Sequence, residues 1–172
     1  MINFGFQSGG GGSSTPILLP YGQYFNRLDQ NCVLANTPQA MVLNSSFFEY
    51  LVSIGIDGLG NPTQITVAET GIYNIQFSAQ ITKSAGGGSE DIDIWLSKNN
   101  VDESYSATKL TLANNGHYVV GAWNWFVQLN AGEFAQIIWS VTDLSVYLEA
   151  DPTHKPEIPS LITTICRVDG NS

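Results

Sequence analysis

Positive charge is scarce in this chain. Lys and Arg number 6 against 15 Asp and Glu, for a net charge of −9 at pH 7. The cations are Arg27, Lys83, Lys98, Lys109, Lys155 and Arg167, and they do not cluster. A nucleic-acid partner needs a positive surface, so that class is excluded, and anionic membrane surfaces are disfavoured for the same reason. Long apolar runs are missing too. None approaches the roughly 20 residues that span a bilayer, so no membrane insertion is expected. The stretch "MINFGFQSGGGG" has neither a basic n-region nor an apolar h-region, and synthesis in a cytoplasm without a signal peptide is expected.

Histidine and cysteine are equally sparse, at 2 each. His117 follows "NNG" in a turn, and His154 sits in the Pro-rich loop from Asp151 to Pro159. Neither forms a recognisable constellation with Cys, Asp or Glu, and no G-x-S-x-G, P-loop or H-E-x-x-H occurs. A non-enzymatic protein without a cofactor is therefore expected. Cys32 and Cys166 lie near opposite ends of the sequence. They can pair only if the first and last strands are neighbours. Otherwise they are two buried small hydrophobes in a reducing compartment.

Core-forming material is ample. Hydrophobic residues make up 43% of the chain and charged residues 12%, which suits a folded domain and not a disordered one. Residues 1–20 read as an arm outside the domain, which occupies 21–172. Ser8 to Ser14, "SGGGGSS", is a flexible linker spanning roughly 15 Å on average. Before it, Ile2, Phe4 and Phe6 alternate in an apolar tip suited to docking on another protein, by strand addition for example; the bland reading is a disordered terminus.

From Tyr21 onward the hydrophobic period is two. In "GIYNIQFSAQITKS", Tyr73, Ile75, Phe77, Ala79 and Ile81 share one face, and Asn74, Gln76, Ser78, Gln80 and Thr82 share the other. Asp91 to Lys98, Phe134 to Val141, Ser145 to Glu149 and Leu161 to Val168 read as further strands. Phe47 to Ile56, Gln64 to Val67 and Ala107 to Ala113 are weaker candidates. Between them lie Gly, Asn and Pro in turn-forming combinations. The pattern predicts an all-β, antiparallel two-sheet jelly-roll sandwich of about ten strands.

Two ligand chemistries have residues to support them. Glu90, Asp91 and Asp93 form an acidic cluster, and Asp91 and Asp93 point the same way on a strand, a possible calcium site of hard oxygen ligands. The full ligand set is lacking, and solvated acids at a strand start are the plainer reading. Tyr105, Tyr118 and Tyr147 are candidates for stacking on sugars.

The segments "ITVAETGIYNIQFSAQI", "IDIWLSKNN" and "WFVQLNAGEFAQIIWS", followed by a last strand ending at Val168, resemble in order the tumour-necrosis-factor-like superfamily. The nearest branch is the complement C-one-q-type globular head and its phage relatives. The Gly71-Ile72-Tyr73 core, the Leu96 to Asn100 hairpin and the Leu129 to Phe134 hairpin carry the likeness, which covers roughly residues 64–168. Asn100 stands where the family has Gly, and Ser160 to Val168 lacks the family's aromatic-Gly-aromatic strand.

The resemblance implies a ten-stranded jelly roll forming a compact homotrimer that binds and does not catalyse. It implies that the outer face of one sheet meets the other subunits, through Phe126, Asn124, Gln76, Ser78 and Thr164. In "GAWNWFVQLNAGE", Trp123, Trp125, Val127 and Leu129 then belong between the sheets, while Phe126 points away from that core. Combined with the tethered apolar tip, the expectation is a phage structural protein on the virion surface, as capsid decoration or head fibre. It would be held to a capsid or other virion protein by Ile2, Phe4 and Phe6. The alternative is a tail-fibre tip that binds a receptor or a host surface glycan.

Overall fold

Period-two sequences fold as strands because alternate side chains leave opposite faces of the pleat. In the computed structural model, which describes residues 18–169, the chain follows that rule and no helix occurs among the described residues. None is therefore long and apolar enough to cross a membrane. The strands are β1 (Tyr21–Asn26), β2 (Gln30–Asn31), β3 (Gln39–Ala40), β4 (Ser45–Tyr50), β5 (Val52–Ile56), β6 (Pro62–Val67) and β7 (Gly71–Lys83). They continue as β8 (Glu90–Lys98), β9 (Val101–Asp102), β10 (Thr108–Leu112), β11 (Tyr118–Leu129), β12 (Phe134–Val141), β13 (Val146–Leu148) and β14 (Leu161–Arg167).

They pair in two antiparallel sheets arranged like a sandwich. The first runs β4–β1–β14–β7–β11, with β13 following β14 along the same side of β7 and β2 paired to β13. The second runs β10–β8–β12–β6–β5, with β9 on β8 and β3 on β12. The chain's first and last long strands, β1 and β14, are neighbours. β7 is central to the first sheet, and its predicted apolar face, Tyr73, Ile75, Phe77, Ala79 and Ile81, is buried. Ile92, Ile94 and Leu96 of β8 and Ala135, Ile137 and Trp139 of β12 are buried with it in the one core.

Trp123 and Trp125 lie on the core side of β11, half-buried against that core. Phe77 joins them: its ring stands edge-on to Trp123 at 4.4 Å and is stacked on Trp125 at 5.1 Å. Aromatic pairs favour these offset geometries because a ring's negative face attracts another's positive edge.

Two expectations are corrected. Phe47 to Ile56 is not one strand. Leu51 takes φ 55°, so the chain turns there and passes from β4 in the first sheet to β5 in the second. A Leu in that region gives no turn signal, unlike Gly or Asn. The reading of both cysteines as buried also fails for one of them. Both are free; Cys32 is buried, but Cys166 is exposed. Alternation along β14 turns Arg167 inward and Cys166 outward. The inward position tolerates a guanidinium because Glu69 (3.0 Å) and Asp169 (2.9 Å) pair with it. Burial pushes the Cys32 thiol up to about 11, which leaves it unreactive near neutrality.

The hairpin joining β11 to β12 is closed by a carboxylate. Glu133 Oε2 accepts the Asn130 amide at 2.8 Å and lies 2.9 Å from Lys98 Nζ, while Gly132 supplies φ 84°. The Asn130 amide first, and Lys98 second, hold the Glu133 pKa down at about 2 from the ordinary 4.5. A lowered folded-state pKa means the contribution is full above 4.5 and is lost as pH falls towards about 2. Glu133→Gln should therefore flatten the fall in melting temperature across that acid window. A parallel fall in both proteins would show that the turn carboxylate is not responsible.

Candidate interaction surface

The face of the first sheet turned away from the core is built row by row by strand pairing. One row reads Phe126, Asn74, Cys166, Tyr21, Tyr50 from β11 to β4. The next reads Asn124, Gln76, Thr164, Gln23, Phe48. A third continues Ala122, Ser78, Ile162, Phe25. Thus Phe126, Asn124, Gln76, Ser78 and Thr164, chosen from sequence, share one face.

The centre of the face is polar. Asn124 Nδ2 donates to Asn74 Oδ1 at 3.2 Å. The two margins are aromatic. Phe126 is 65% exposed at the β11 margin, with Val120 also exposed on the same strand face. At the β4 margin, Phe47 is 70% and Phe48 57% exposed. Tyr21 meets Phe48 edge-on at 6.0 Å and Tyr50 at 6.1 Å, and Phe25 packs on Phe47 at 4.8 Å.

Sequence reasoning missed this second cluster. The register between β1 and β4 shifts at Gln23/Tyr24, where Phe47 is passed over in the pairing. Such a bulge breaks strict alternation, so a period-two rule cannot assign both Phe47 and Phe48 to one face. The available signal was the aromatic density of "FFEY" itself.

Beside the β4 margin, a recess of about 620 Å³ lies between Phe25, Phe47 and Ile162 and the Pro-rich loop. Arg27 and Glu157 pair at its rim, 2.6 Å apart. His154 is exposed in that loop, with Nδ1 2.7 Å from Pro156 O. His117 is exposed between β10 and β11.

One ammonium sits within the acidic cluster. Lys109 Nζ lies 3.1 Å from Asp91 and 3.7 Å from Asp93, and Thr111 donates to Asp91 Oδ1 at 2.6 Å. The Thr111 hydroxyl and then Lys109 lower the Asp91 pKa. A bound cation would have to displace that ammonium. Among the described residues, no three His, Cys, Asp or Glu converge in a metal-holding group. Ile2, Phe4 and Phe6 lie outside the described residues.

Of the sugar-stacking candidates, Tyr147 is held by Glu149 at 3.0 Å and Tyr118 is largely exposed on β11. Tyr105 is fully exposed beside a second recess of about 470 Å³. No protein-family model matches the chain, and no curated protein matches it.

Proposed function

We propose that the chain is a non-enzymatic phage virion structural protein, a trimeric jelly-roll knob displayed on the particle as capsid decoration or head fibre. One observation carries the assembly: two unlike aromatic margins flank a polar centre on a single sheet face. Exposed aromatic clusters of this kind mark interaction sites. Joining the β11 margin of one copy to the β4 margin of the next is head-to-tail contact, which forms a ring where the rotation between copies closes. The resemblance to tumour-necrosis-factor-like heads supports a ring of three. An axis running along the strands keeps each row level, so Phe126 comes level with Tyr21 and Tyr50 of the next copy.

The jelly-roll assignment draws support from the chain's repeated passage between sheets, as at β4 to β5 and β6 to β7, and from the adjacency of β1 and β14. The virion assignment rests on the family likeness and on the apolar tip carried by a Gly/Ser linker. Two kinds of variant separate assembly from attachment. Phe126→Asp and Tyr50→Asp should each yield folded monomers in sizing with light scattering. Deletion of residues 1–14 should leave trimers that no longer bind the purified parent capsid. A wild-type monomer or dimer at micromolar concentration would overturn the ring, and capsid binding by the deletion would overturn the anchor.

A further inference from the structure

We propose a saccharide-binding site in the recess between β11 and the segment 103–106. Among the described residues β11 is paired on one side only, by β7, which leaves its other edge open to them. The recess of about 470 Å³ along that edge has Trp125 at its base, and Trp125 Nε1 donates to Ser106 O at 2.9 Å. The segment is pinned to β8. Ser106 Oγ donates to Glu103 O at 2.7 Å and accepts the Leu96 amide at 3.1 Å, and the Glu103 amide donates to Leu96 O at 2.9 Å.

On this fixed support stands Tyr105, whose ring is fully exposed and whose φ is 64°. A left-handed backbone is unusual for a residue bearing a ring, and among the described residues none packs over the Tyr105 ring. The Glu103 to Ser106 turn takes that backbone at its third position, and it displays the ring beside the recess. Glu103, Ser104 and Gln128 bring a carboxylate, a hydroxyl and an amide to the same walls. An aromatic face for the C–H side of a pyranose, with donors and acceptors for vicinal hydroxyls, is the chemistry that holds a sugar.

The charge selects a neutral one. Glu103 is anionic, and the nearest cation, Lys98, is engaged by Glu133 and by Gln128 O, each at 2.9 Å. The recess needs walls from one chain only, although Asn124 and Phe126 among them border the subunit contact proposed above.

The test measures binding of lactose, cellotriose, chitotriose and mannobiose, with sialyllactose as the anionic control, by saturation-transfer NMR and calorimetry on the full chain. At least one neutral sugar should bind saturably. Tyr105→Ala should weaken that binding about tenfold, equivalent to about 1.4 kcal/mol, and Tyr105→Phe should retain it. Tyr50→Asp, on the opposite margin of the same chain, should bind like the wild type as a folded monomer, because every wall of the recess comes from one chain. The proposal is overturned if none of the four neutral sugars binds or if Tyr105→Ala binds like the wild type. Preference for sialyllactose, or loss of binding in folded Tyr50→Asp, would equally overturn it.

Discussion

Phe77→Ala should lower the free energy of unfolding by about 4 kcal/mol, the usual cost of emptying a buried Phe site. Phe77 is 4% exposed and holds both Trp123 and Trp125 against the core. Its loss removes the ring's own buried area and leaves a cavity beneath two indoles. It also removes two aromatic pairs, each worth about 0.5–1.5 kcal/mol beyond area burial. Partial collapse of the indoles into the space would soften the effect. Denaturant unfolding at fixed protein concentration, followed by tryptophan fluorescence, reads it, since Trp123 and Trp125 are two of the four emitting rings. Exposed Val101→Ala is the control, expected within about 0.5 kcal/mol of the wild type. A Phe77→Ala loss below about 1 kcal/mol would mean that Trp123 and Trp125 hold their places without it.

Gly71→Ala is the second large effect, and it acts through a different residue. A Cβ on Gly71 would lie 2.4 Å from Arg167 Nε and 2.7 Å from Asp169 Oδ1. The Arg167 side chain must move, and its contacts to Glu69 and Asp169 go with it. Overpacking of this sort costs about 1–3 kcal/mol. The neighbouring strand start is exposed to the same disturbance. Asp169 Oδ1 also accepts the Ile72 amide at 2.9 Å, and Tyr73 Oη donates to Glu69 O at 2.7 Å. Arg167→Ala should remove the guanidinium part of the clash and leave only the Asp169 carboxylate near the new methyl, so in that background Gly71→Ala should cost less than alone. Additive losses in the double variant would place the Gly71 effect elsewhere.

These sites show how legible the fold was. Gly71-Ile72-Tyr73 was visible in sequence as a strand start following a turn. Its reason is the guanidinium lying across the glycine, and that residue comes from the other end of the chain. Likewise, the outward position of Phe126 followed from alternation along "WNWFVQL", but its aromatic counterparts on β4 did not. Phe47 and Phe48 depend on a register shift against β1, which no local pattern records. Tyr105 was legible only as one tyrosine among three. Its display depends on Ser106 tying the segment to β8.

By itself, the sequence determined the all-β class and most strand positions, because side-chain period and turn chemistry are local properties of the chain. It likewise determined which face of β7 is apolar. Only the tertiary structure decided that Leu51 divides one apparent strand between two sheets. It also decided that Arg167 turns inward while Cys166 turns outward, and that aromatic rings gather on both margins of one sheet face. Those outcomes depend on which strand lies beside which and in what register. Partners distant in sequence set both, so no local window contains them.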